Sequence, residues 1–159
     1  MKKVFAFLLA LSMILALAAC GQNPTDLPQD ATVGQTLQAK FKQLADGRSA
    51  AEIAEELIAE GLPFAAGTMP VEEGFLNGFD NEIHGFSEGT MFSPMVGTIP
   101  FVGYVFTLPA DADVDAFMNT LKANANLRWN ICTTAEEMVT DAVDQTVFFV
   151  MCPAEFEEQ

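Results

Sequence analysis

Apolar residues recur at three- and four-residue steps from Val33 through Leu37 and Phe41 to Leu44, and the run stops at Asp46-Gly47. That spacing keeps one side of a helix apolar, so it predicts a helix over this stretch. Ser49-Ala50-Ala51-Glu52 then has the form of a capping box, in which the serine oxygen accepts from the Glu52 amide and the glutamate reaches back to the Ser49 amide. A second helix follows: Ile53, Leu57 and Ile58 make its apolar stripe, Glu55, Glu56 and Glu60 its wet face, and Gly61 with Pro63 ends it. From 62 to 98 the pattern breaks up. Gly67, Gly74, Gly78, Gly85, Gly89 and Gly97 punctuate short aromatic pieces, which predicts short strands and loops. Ile99 to Leu108, reading IPFVGYVFTL, is aromatic and β-branched enough for a buried central strand, with Gly103 marking a bulge or a close neighbour.

Further on, Asp111, Asp113 and Asp115 open a helix whose apolar positions Val114, Phe117, Met118, Leu121 and Ala125 share one face. Thr134-Ala135-Glu136-Glu137 offers another cap, and Met138, Val139, Ala142 and Val143 behind it predict one more helix. Asp144-Gln145 turns the chain into a fully buried strand, Thr146 to Cys152. Helices and strands mix without the strict alternation of a doubly wound sheet. The expected fold is therefore α+β, a small mixed or antiparallel sheet with helices packed on one face.

The first twenty residues follow a different logic. Lys2 and Lys3 are a positive start, Val4 to Leu17 an apolar run broken only by Ser12, and Ala18-Ala19 precede Cys20. This is the order of an export signal. The run falls short of the roughly 18 to 20 residues needed to span hydrocarbon, so a retained membrane helix is not expected. Leu17-Ala18-Ala19-Cys20 resembles the lipobox of bacterial lipoproteins. The resemblance implies that signal peptidase II cuts before Cys20 and that the thiol carries a diacylglyceryl group, with stable anchoring once two chains are present. It also implies that the domain stands on the outer face of the cell membrane. On this reading residues 1–19 are removed, 20–32 form the lipidated cysteine and a proline-marked linker, 33–155 form one α+β domain, and 156–159 an acidic tail. In layout, the SAAEIAEELI helix followed by a strand, a long helix and a terminal strand resembles small uncharacterised lipoproteins of Gram-positive anaerobes, which implies no activity.

Charge narrows the partners. The chain carries a net charge of -15. Beyond the signal its basic residues are Lys40, Lys42, Arg48, Lys122 and Arg128, so nucleic acid is a poor partner, direct adsorption to anionic lipid or an acidic wall polymer is disfavoured, and the domain is expected to stand off the surface on its tether.

Candidate chemistry is sparse. Gly85-Phe86-Ser87-Glu88-Gly89 matches the G-x-S-x-G nucleophile elbow. However, glycines and prolines follow where a helix is required, and the single histidine, His84, precedes the serine. Asp80, Glu82 and His84 alternate as residues of one strand face do, and such a set can hold a divalent metal if ligands arrive from elsewhere; a solvated polar face is the plainer reading. Asp111-x-Asp113-x-Asp115 copies the opening of a calcium loop, but position six is Ala116 and position twelve Lys122, so a helix start explains it better. Cys132 and Cys152 are open to a disulfide or to two buried free thiols, and no C-x-x-C spacing points to a redox catalyst. Arg128-Trp129 suits either a partner contact or the lid of a core end.

No triad, phosphate loop or complete metal motif assembles, and no cofactor is expected. The expected function is a lipid-anchored binding or scaffolding module with an envelope protein as partner. Its rivals are an envelope enzyme using Asp80 or Glu82 as acid and base, and a small ligand- or cation-binding lipoprotein. A solute-capturing transporter component needs two lobes, for which the chain is short.

Overall fold

A computed structural model describes residues 30–156, within which three helices and five strands form. Helix α1 (Val33–Leu44) starts at a capping box of its own, Thr32 with Gln35, and α2 (Ala50–Ala59) starts at the expected Ser49-Glu52 box. Strand β1 (Ala66–Val71) and strand β2 (Glu88–Pro94) come from the glycine-punctuated stretch, and β3 (Val102–Thr107) from IPFVGYVFTL. Helix α3 (Val114–Asn124) follows, capped by Asp113, which accepts from the Ala116 amide at 3.0 Å. The chain closes with β4 (Glu137–Val143) and β5 (Thr146–Cys152).

The strands form one antiparallel sheet in the order β1-β2-β3-β5-β4, with β3 in the middle as expected. Alternate residues of β3 and β5 face opposite ways, and both faces are covered. On one face Val105, Phe148, Val150 and Cys152 meet Leu37 and Phe41 of α1 and Ile53 and Leu57 of α2. On the other, Tyr104, Phe106, Val147, Phe149 and Met151 meet Phe117 and Leu121 of α3, with Leu76, Phe79 and Ile83 from the loop between β1 and β2. The α+β class and the antiparallel sheet are thus present. Helices α1 and α2 share one face, whereas α3 covers the other, because β3 and β5 are apolar on both sides. Each fully buried side chain of this kind contributes on the order of 2–3 kcal/mol.

One expected element is different. Residues 137–143 form a strand, not a helix, paired residue for residue with β5 through a turn at Asp144-Gln145. Asp144 sits at φ 49°, a left-handed conformation that the tight turn requires and aspartate tolerates. The strand lies under helices on both sides, with Val139 and Val143 toward α1 and Met138 and Ala142 toward α3. Glu137, expected to cap a local helix, instead caps a distant one: its carboxylate accepts from the Gly34 amide at 2.6 Å and from the Thr32 hydroxyl at 2.8 Å. Helix α1 has no acid in its own first turn, so Glu137 supplies the charge its N-terminus favours.

Phe156, assigned by sequence to the tail, packs edge-on to Phe64 at 5.2 Å and belongs to the domain. Residues 1–29 and 157–159, including the signal, Cys20, most of the linker and the rest of the tail, lie outside the described residues.

Candidate functional site

The only histidine is held by carboxylates, but not by the pair that sequence brought together. An isolated bridge, Gly74 to Ile83, folds the loop after β1 back on itself and carries Glu73 to His84. Glu73 accepts from the Gly85 amide at 2.6 Å and its other oxygen lies 3.4 Å from His84 Nδ1; Glu82 lies 3.0 Å from Nε2. These contacts, Glu82 first, raise the His84 pKa above its ordinary value, while the Gly85 amide and then His84 hold Glu73 below the usual carboxylate range. Asp80 turns elsewhere and accepts from Asn126 at 2.8 Å. The Asp80, Glu82 and His84 metal set is therefore not assembled. Both ring nitrogens face carboxylates, which favours an imidazolium over a metal ligand. Among the described residues no group of three or more His, Cys, Asp or Glu side chains is arranged to hold a metal ion.

The remaining candidates are equally placed. The Ser87 hydroxyl donates to the Thr107 carbonyl at 2.9 Å and strand β2, not a helix, follows it, so the elbow geometry is absent. Asp113 caps α3 and Asp115 sits in its first turn, the helix-start reading of the aspartate triplet. Cys132 and Cys152 are both free: Cys132 is exposed and Cys152 is buried, where desolvation and then the Glu137 carboxylate push its thiol pKa up. They flank a β hairpin rather than the expected helix and strand. Trp129 is half-buried over the end of one core, beside Gly78, while Arg128 is exposed.

A concave feature does exist, and the sequence did not point to it. Between the start of α1, the end of α2 and the last described residues lies a groove of about 620 Å³. Val33, Leu37, Leu62 and Phe156 give it an apolar lining, and Lys40, Glu60 and Glu155 stand around it. Lys40 also reaches the Leu57 carbonyl at 3.5 Å, so a cation sits at the C-terminal end of α2. The one sequence signal was an aromatic, Phe156, among the acids of the presumed tail. Asp80 and Glu82 do not border the groove.

No helix among the described residues is long and apolar enough to cross a membrane. No protein family model, no curated protein and no solved structure matches this chain.

Proposed function

We propose that the chain is a lipid-anchored, extracytoplasmic domain that binds or scaffolds an envelope protein and does no chemistry of its own. The observation that carries this reading is Leu17-Ala18-Ala19-Cys20 at the end of a charged-then-apolar start. Lipid on Cys20 holds the domain at the membrane surface through the linker. The side chains that could have served catalysis are committed to structure. His84 is clamped by Glu73 and Glu82, Ser87 is bonded to Thr107, and Asp80 to Asn126. An enzyme using Asp80 and Glu82 would need both on one cleft, and they are exposed with separate partners.

A second reading has one observation in its favour. The groove beside α1 is large enough for a small ligand, with Lys40 and Glu60 to orient polar ends and Val33, Leu37 and Phe156 to cover an apolar body.

The test is a crosslinking pull-down from intact cells with the full chain, against residues 1–32 fused to an unrelated soluble domain. The scaffold reading expects at least one envelope protein enriched by the full chain alone. Equal recovery by both overturns it, and small-ligand binding to the groove then becomes the leading account.

A further inference from the structure

We propose that the end of the sheet from which the linker departs is a lipid-contact face, resting on the bilayer through Met95, Val96 and Ile131. This deepens, and rests on, the reading of Cys20 as the lipid attachment site.

Three large apolar side chains are left in the open there: Ile131 is 99%, Met95 75% and Val96 68% exposed. They come from two segments joined to each other. The β2–β3 loop is met by the segment after α3, with Asn130 Nδ2 donating to the Gly97 carbonyl at 3.1 Å and Thr133 Oγ1 to the Thr98 carbonyl at 3.3 Å. Among the described residues the other two exposed large apolar side chains, Met69 and Phe75, stand apart, on the edge strand and in the loop beside Glu72 and Glu73.

The chain outside the described residues leaves from this same end. The Val33 amide donates to the Ala154 carbonyl just past β5, and the Glu136 amide to Cys152, while Val102 of β3 is paired with Met151. The start of α1, the end of β5 and the β2–β3 loop therefore share one end of the sheet. Cys20 and Thr32 are twelve positions apart, a reach of at most about 43 Å. A lipid on Cys20 thus holds this end nearer the bilayer than the opposite one.

The two joined segments are themselves nearly free of charge. From Gly89 to Ala110 there is no charged residue, and from Ala123 to Ala135 only Arg128. The opposite end of the sheet carries Glu88, Asp111, Asp113, Asp115 and Asp144. Acids stand at both ends of the sheet, and the net charge of -15 taken alone would hold the domain off an anionic surface, so it is these two uncharged segments and not the end as a whole that can lie against lipid. Half-buried Trp129, just behind Ile131, is a residue type that membrane interfaces favour. The acids at the tether end lie outside those two segments: Asp30, Glu60 and Glu155 border the groove on the α1 and α2 side, Glu137 caps α1, and Glu136 accepts from the Ala154 amide at 2.9 Å.

Trp129 is the single tryptophan, so the native chain reports on its own position. The full lipidated chain is reconstituted into phosphatidylcholine vesicles containing acyl-chain-brominated phosphatidylcholine, and flotation is scored beside Trp129 fluorescence. The expected result is about a twofold loss of fluorescence, as for an interfacial tryptophan. The Met95→Asp/Val96→Asp/Ile131→Asp variant, altered only at exposed positions, should float equally, keep its circular dichroism and escape quenching. Cys132 beside Ile131 gives a second readout: on vesicles it should resist a bulky water-soluble maleimide in the native chain and react in the variant. A native chain that floats without quenching, or variant and native chains quenched alike, overturns the lipid-contact face while the anchor stands. Failure to float overturns the anchor reading and this face with it. A native chain that is unquenched and sediments as a dimer, with the variant monomeric, assigns the face to a second copy and overturns the proposal.

Discussion

A methyl group added at Gly103 should cost about 3 kcal/mol, and the reason lies in one aromatic ring. Gly103 pairs directly with Phe92 across β2 and β3, and the Phe92 ring lies flat over the space a side chain would need. A Cβ there would meet three atoms of that ring far inside contact distance. The ring has nowhere to go: it is fully buried, stacked on Phe148 at 6.3 Å and packed against Phe101 at 5.9 Å. Overpacking a dense core costs about 1–3 kcal/mol, and a site closed on every side belongs at the top of that range. Urea unfolding of Gly103→Ala should show that loss, with a midpoint temperature roughly 10 °C lower. Phe92→Leu alone should cost about 1–2 kcal/mol, since it vacates space without removing the contact surface entirely. Combined, the two changes should cost about 2 kcal/mol less than their sum, because the new methyl fills the vacated volume. A Gly103→Ala variant within about 1 kcal/mol of the parent, or strictly additive costs in the pair, would refute the reasoning.

Three other expectations follow from individual contacts. His84 should titrate above its ordinary value of 6.5, with a midpoint that falls in Glu82→Gln, as followed by proton NMR of the ring. Its raised folded value means that its stabilising contribution is complete below that ordinary value and lost as pH rises through the folded one. Glu73, lowered from 4.5, contributes above its ordinary value and loses it as pH falls through its depressed folded value. Glu137→Ala should destabilise the fold by about 2 kcal/mol in urea unfolding, because the buried Gly34 amide and the Thr32 hydroxyl lose their acceptor; a change under about 0.5 kcal/mol would contradict the distant cap. In the absence of vesicles, Cys132 should react with a thiol reagent in the folded chain and Cys152 only after unfolding, given burial and the nearby Glu137 carboxylate. A native chain in which neither thiol reacts until reductant is added would restore the disulfide.

What the sequence disclosed depended on how local the physics was. Helices α1, α2 and α3 carry their stripes and caps within a few residues, and Ser49 with Glu52 forms in space the box its spacing spells out. Gly103 read as either a bulge or a close neighbour, and the Phe92 ring lying over it makes it the second. Strand β4 misled because helices on both sides half-bury every residue, erasing the alternation that marks a strand. Its Met138, Val139, Ala142 and Val143 then imitate a helical stripe. Glu137 read as a local cap because a carboxylate does not advertise whether the helix it serves is its own or one a hundred residues away. The His84 site was half legible: alternation found Glu82, but Glu73 arrives by a backbone bridge from Gly74 to Ile83 that leaves no periodic trace. The groove, assembled from both ends of the described chain and the end of α2, has no sequence pattern at all.

The central claim is that Cys20 is lipidated and holds this domain at the outer face of a membrane. Mass spectrometry of the chain produced in a lipoprotein-processing bacterium, set beside membrane fractionation of a Cys20→Ala variant, tests it most directly. The account predicts a mature chain that begins at Cys20, carries a thioether-linked diacylglyceryl group and pellets with membranes, and a variant without that lipid. A mature chain beginning elsewhere, or one with a free Cys20 thiol that fractionates like the variant, would contradict it.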